Sequence, residues 1–117
     1  TWKYLRQIEQ ACRGAAFNRG HAVIAEMEKA FPRVWTLTQN VDGFHQDAGA
    51  RNVIAIHGTL RRIVCTGCRA GETVKDFAHL ADVPRCPSCG ALLRPDVVLF
   101  GEMLPEAGLR ELRRQME

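Results

Sequence analysis

Two short cysteine pairs, Cys65-Thr66-Gly67-Cys68 and Cys86-Pro87-Ser88-Cys89-Gly90, constrain this chain more than any other feature. A spacer of 17 residues, Arg69 to Arg85, separates them. A C-x-x-C turn brings two sulfurs toward one metal ion, and its glycines let backbone N–H groups turn toward the thiolates. Two such turns complete a tetrahedron of sulfur, the preference of zinc in closed structural sites. The spacing matches the two-pair zinc pattern. Competing readings are two disulfides, a redox dithiol or a catalytic zinc. The last is disfavoured because four sulfurs fill the coordination shell and leave no position for water. A four-cysteine ribbon names the metal but not the activity.

The remaining cysteine, Cys12, stands alone in a helical pattern and reads as a small apolar residue. An odd cysteine count without a signal-like leader points to a reducing compartment, so a cytoplasmic location is expected. No apolar run approaches the ~20 residues a membrane helix needs, and no membrane partner is expected. The formal charge is +3, and the basic residues cluster only at Arg61-Arg62 and at Arg110, Arg113 and Arg114. That is too sparse, and too poor in aromatic neighbours, for direct nucleic-acid binding to be expected. At 117 residues, 46% hydrophobic and 25% charged, the chain suits one soluble globular domain.

Periodicity supplies the rest of the scaffold. Trp2, Leu5, Ile8 and Cys12 fall on one face of a helix over Thr1–Arg13, which Gly14 can end. A second helix is predicted from an Asn18 N-cap to Ala30, stopped by Pro32. Val34–Thr38 and Asn52–Ile56 read as short strands apolar on both faces, as in a covered parallel sheet, with a helical stretch over Val41–Ala48 between them. Leu60–Leu93 looks like an inserted module with little core of its own, dependent on metal for its order. Asp96–Phe100 reads as a third buried strand, followed by an amphipathic helix starting near Pro105. Strands alternating with helices indicate α/β architecture with a parallel sheet. Both ends read as cuts through a longer chain, since three strands alone would leave bare sheet edges.

Both early strands run into polar residues: the first into Gln39, Asn40 and Asp42, the second into His57. Ligands of open parallel sheets bind beyond the strands' carboxyl ends, so these four side chains could face one crevice. An imidazole there can act as a general base near neutral pH, and amides can orient hydroxyls. The bland alternative is a strand-to-helix turn, with Asn40 or Asp42 as an N-cap and His57 as an ordinary strand-end residue. His21, His45 and His79 have no comparable setting and read as structural. No two glycines are separated by a single residue, so no G-x-G-x-x-G phosphate loop is present.

Taken in order, these blocks resemble the sirtuin family. Thr38-Gln39-Asn40-Val41-Asp42-Gly43-Phe44-His45, Ala48-Gly49, Ile56-His57-Gly58, both cysteine pairs and Leu93-Arg94-Pro95-Asp96-Val97-Val98-Leu99-Phe100-Gly101-Glu102 occur in that family's order and spacing. Asn18-Arg19-Gly20-His21 resembles its Asn-x-x-His helix start. The resemblance implies part of a Rossmann-like parallel sheet domain, with an inserted small domain made of the zinc ribbon and a helical module. Its segments would be 1–31 (helical part of the small domain), 32–60 (central Rossmann-like), 61–94 (zinc ribbon) and 95–117 (return to the Rossmann-like domain).

The resemblance also implies a function, NAD-dependent removal of acetyl or other acyl groups from protein lysines. Nicotinamide leaves, the acyl oxygen attacks the ribose carbon it vacated, and the acyl group passes to ADP-ribose. His57 would be the general base that activates a ribose hydroxyl. Gln39, Asn40 and Asp42 would hold the nicotinamide and its ribose, and Val98 and Phe100 would line the acyl-lysine tunnel. Cys65, Cys68, Cys86 and Cys89 would hold structural zinc away from the chemistry. Phe17 departs from the family's usual Pro before Asn18. No Tyr-x-x-Arg, the mark of members preferring acidic acyl groups, stands near Leu5 and Ile8, which favours acetyl-lysine. The family's Gly-Ala-Gly and Gly-Thr-Ser segments are absent, so the chain as it stands is expected to bind NAD poorly. The competing functions are a zinc-ribbon interaction module without catalysis, and a sirtuin preferring other acyl groups or ADP-ribosyl transfer.

Overall fold

The element order in the computed structural model, which describes residues 1–117, is α1 (Trp2–Cys12), α2 (Arg19–Ala30), β1 (Thr36–Thr38), α3 (Phe44–Asp47), β2 (Val53–Ala55), β3 (Gly58–Cys65), β4 (Gly71–Thr73), β5 (Leu93–Val97) and α4 (Glu106–Met116). They divide into two units, Thr1–Ala15 with Thr59–Val97, and Ala16–Gly58 with Val98–Glu117. No helix is long and apolar enough to cross a membrane.

In the first unit, α1 turns Leu5 and Glu9 inward, while Ile8 stays half exposed. Glu9 is buried, and Arg13 one turn later donates two hydrogen bonds to its carboxyl group. Trp2 donates its indole N–H to the Leu93 carbonyl at 2.9 Å and sets its ring edgewise on Phe77, centroids 5.5 Å apart. Arg6 donates to the carbonyls of Phe77, Leu80 and Ala81, ordering a stretch with no regular ladder of its own.

The sheet of this unit has the order β4-β3-β5. β3 and β4 pair antiparallel, with Ile63 opposite Glu72. The cysteine-bearing module was expected to have little core, yet Leu60, Ile63, Val74 and Phe77 are all buried, Phe77 completely. Those apolar residues are spaced along an eight-residue strand and a loop, a pattern that short-window periodicity does not reveal. The expected strand over Asp96–Phe100 is also displaced. It forms at Leu93–Val97, beside β3 and not in the parallel sheet. Pro95 explains the setting: buried and without an N–H, it is tolerated at the sheet edge that β5 occupies.

In the second unit, the Asn18 side chain accepts from the N–H groups of Gly20 and His21, and the His21 Nδ1 accepts from the Asn18 N–H at 3.0 Å. This reciprocal capping box fixes where α2 begins. Near its other end, Glu28 accepts from the Arg51 N–H at 2.8 Å and from the Asn52 N–H, tying α2 to the entrance of β2. The Asn52 side chain donates to the Val34 carbonyl at 3.0 Å, just ahead of β1.

β1 and β2 pair parallel, with Thr36 opposite Val53, Leu37 opposite Ile54 and Thr38 opposite Ala55. β1 is shorter than expected and Leu37 is half exposed, so only one face of it is covered here. α4 covers the β2 side through Gly108, where an added Cβ would lie 3.3 Å from the Ile56 Cδ1. Arg33 closes the end of α4 by donating to the carbonyls of Arg114 and Gln115.

Phe77 anchors the first unit. Phe77→Ala is expected to cost about 3–5 kcal/mol of stability, read as a lowered denaturant midpoint with tryptophan fluorescence as the probe.

A four-cysteine centre and a polar strand-end cluster

The C-terminal residue of β3 is Cys65, and the turn after it carries Cys68; Cys86 and Cys89 occupy a second turn of the same kind. The four sulfurs lie within 4.8 Å of one another. Cys65 and Cys89 are 3.4 Å apart, and Cys68 and Cys86 are 3.7 Å apart. A disulfide needs about 2.05 Å, whereas sulfurs 2.3 Å from a shared tetrahedral zinc stand about 3.8 Å from each other. The arrangement is that of a metal shell, with all four cysteines free of disulfides.

Backbone donors prepare the site. The N–H groups of Gly67 and Cys68 both point at the Cys65 sulfur, at 3.3 and 3.4 Å. Donation by Cys68 first, then by Gly67 against the opposing effect of burial, draws the Cys65 thiol down to about 6. In the second turn, N–H groups of Cys89 and Ser88 lower Cys86 likewise. At Cys68 the largest influence, the Ala70 N–H, is downward, but the thiols of Cys65, Cys86 and Cys89 together outweigh it and push Cys68 up to about 11. Thiolates and protons thus share one small volume, and a dication entering there displaces the protons. The donor set fits a structural zinc ion and leaves no open position. Gly67 is needed for this approach, since a Cβ there would come within 2.8 Å of the Ala91 side chain and 3.2 Å of the Cys89 sulfur.

The second cluster follows from the register of β1 and β2. Because Thr38 stands opposite Ala55, the chain leaves both strands at the same end of the pair. The Ile56 N–H still donates to the Thr38 carbonyl at 3.0 Å, so Gln39 and His57 begin their loops side by side. Gln39 and Asn40 are exposed; Asp42 and His57 are half-buried. The Asn40 N–H donates to the Thr38 hydroxyl at 3.1 Å. Asp42 accepts from the Phe44 N–H at 2.9 Å, and Gly43 takes the left-handed conformation at φ 78°.

That geometry decides the capping question. The N-cap of α3 is Gly43, so neither Asn40 nor Asp42 is the N-cap, and the helix spans only Phe44–Asp47 instead of the expected Val41–Ala48. Val98 lies beside His57, its N–H donating to the His57 carbonyl at 2.9 Å. Phe100 is fully exposed on the loop that follows, which Glu102 shapes by accepting from the Leu99 N–H at 3.0 Å.

His21 and His45, which no motif joins, meet here with ring centroids 4.7 Å apart. The capping spacing of Asn18 and His21 was the available signal; the packing of α3 against α2 was not visible.

Comparison with known proteins names the class that this fold and these two sites define. The model of the Sir2 family matches residues 1–117. The chain is 47% identical over 118 residues to NAD-dependent protein deacylase 2 of Pseudomonas aeruginosa, an alignment covering 98% of this chain and 46% of that one. It is 40% identical to NAD-dependent protein deacylase 1 of Archaeoglobus fulgidus, over 100% of this chain and 48% of that one. The crystal structure of a Sir2 homologue in complex with NAD superposes with a TM-score of 0.89 at 40% identity, over 97% of this chain and 44% of that one. A structure described as Sir2 with a p53 peptide and NAD superposes at 0.80 and 36% identity, over 90% of this chain and 45% of that one. The chain belongs to the Sir2 family. It spans about half the length of the relatives it matches.

Replacing Cys68 by Ser is expected to take bound zinc from one ion per chain to near zero. Metal analysis after gel filtration checks this, with a lowered unfolding midpoint of the first unit as the companion readout.

Proposed function

We propose that the full-length protein carrying this chain is an NAD-dependent protein-lysine deacylase, with acetyl-lysine as its preferred substrate. The observation that carries the reading is the shared strand end. Parallel pairing of β1 with β2 starts the loop of Gln39, Asn40 and Asp42 and the loop of His57 at the same strand end, where an open parallel sheet binds its ligand.

The residues present suit the cofactor. The side-chain amides of Gln39 and Asn40 are exposed and make no hydrogen bond within the chain, so both remain available to a carboxamide and to ribose hydroxyls. The Asp42 carboxylate is held by the Phe44 N–H and keeps acceptor capacity for a further donor. When bound, NAD supplies a ribose carbon made reactive by the departure of nicotinamide, and the acyl group is transferred to ADP-ribose.

His57 supplies the base. Its imidazole has no partner inside the chain, and its own carbonyl is tied to the Val98 N–H, which fixes the backbone from which the ring projects. His57 would accept the proton of a ribose hydroxyl at a ring nitrogen. Val98 and the exposed Phe100 offer apolar surface close in sequence to that bond, suited to the aliphatic stem and acyl group of a modified lysine. Cys65, Cys68, Cys86 and Cys89 hold zinc as a structural ion and take no part in proton transfer.

His57→Ala is expected to lower NAD-dependent deacetylation of an acetyl-lysine peptide by roughly a hundred- to ten-thousand-fold. Zinc content should be unchanged, and retention of activity would overturn the assignment. Asp42→Ala is expected to raise KM for NAD with a smaller effect on kcat, measured by steady-state kinetics at saturating peptide.

A further inference from the structure

We infer that His21 is a positioning residue for the cofactor loop, acting through the edge of its ring on Phe44 and His45. The inference rests on the reading above in which Asn40 and Asp42 contact NAD.

The loop needs an external support. α3 has four residues, no side-chain cap and Gly43 in a left-handed turn at its start. A single helical turn does not hold itself in water. Asp42 is nevertheless tied to it, because its carboxylate accepts from the Phe44 N–H at 2.9 Å. A displacement of Phe44 therefore displaces the Asp42 carboxylate.

His21 is placed to prevent that displacement. Its ring lies edgewise to Phe44, centroids 5.8 Å apart at 87°, and edgewise to His45, 4.7 Å apart at 73°. The bond from the Asn18 N–H to Nδ1 sets the orientation of the ring. A Glu or Gln at this position would satisfy the same N–H, as capping boxes usually do. What an imidazole adds is a flat, rigid edge against α3. The His45 Nδ1 points the same way: it is buried without a hydrogen-bond partner, so packing and not polar bonding holds that ring.

Two variants separate positioning from capping. His21→Gln keeps the capping acceptor and removes the ring; His21→Phe keeps a ring edge and removes the acceptor, at an exposed N–H that water can satisfy. His21→Gln is expected to keep the native melting temperature and raise KM for NAD roughly three- to tenfold with kcat little changed. His21→Phe is expected to melt lower and keep KM for NAD within about twofold. In the full-length protein without NAD, amide exchange at Phe44, Asp47 and Ala48 should accelerate in the Gln variant and not in the Phe variant. The reverse pattern, or equal behaviour of the two variants, overturns the inference. Absence of NAD-dependent deacylation in the unsubstituted protein would overturn only the functional reading, because the exchange measurement still decides this one.

Discussion

Two adjacent parallel strands necessarily release their chains at one edge, and the short pair β1–β2 is what brings the polar residues of this chain together. Three paired positions set the register, and the Ile56 N–H bonded to the Thr38 carbonyl extends it by one bond to the threshold of the loops. A slip by one residue would reverse the face that every side chain of the slipped strand presents, and would offset Gln39 from His57 along the strand end. The register is secured from outside the strands. Glu28 on α2 holds the N–H groups of Arg51 and Asn52, and the Asn52 side chain holds the Val34 carbonyl, so both strands begin from a shared anchor. α4 then lies so close over β2 that Gly108 has no room for a side chain without moving Ile56.

The zinc unit obeys a different rule. Its two C-x-x-C turns bring four sulfurs together at one point, and backbone N–H groups of each turn favour the thiolate form of Cys65 and Cys86 that a dication needs. Yet metal alone does not account for the unit. Phe77 is fully buried beneath the Trp2 ring, Arg6 gathers three carbonyls of the loop around it, and Ile63 fills the centre of the sheet. A hydrophobic contact between residues 75 positions apart joins the first helix to the ribbon. The cysteine turns and this small core support the same sheet, and Trp2 reaches it at Leu93, next to the turns.

What was legible in the sequence follows the range of the interactions involved. The cysteine spacing, the Asn18 cap and the run of each long helix are local features, and each was readable from a window of a few residues. The strand-end cluster was readable because strand polarity and loop position are also local, once a parallel sheet was assumed. The setting of β5 was not. Asp96–Phe100 is the more apolar run, whereas Leu93–Val97 carries Arg94, Pro95 and Asp96 and becomes a strand by pairing with β3 at an edge that tolerates Pro95. The core of the ribbon was missed for the same reason, since Phe77 packs against Trp2, which is far from it in sequence.

The histidines show how far a local motif can reach. Asn18 and His21 satisfy each other's backbone groups, which is sufficient to explain both residues as the start of a helix. Capping, however, is indifferent to what lies beyond the acceptor atom, and a flexible amide would serve it as well. The ring matters only because α3 is too short to order itself and because Asp42, at the mouth of the strand pair, is bonded to its first residue. A helix start on one side and the polar strand-end loop on the other are thereby joined through two ring contacts. Positions that look purely structural in the sequence acquire a functional consequence when the element they support cannot stand alone.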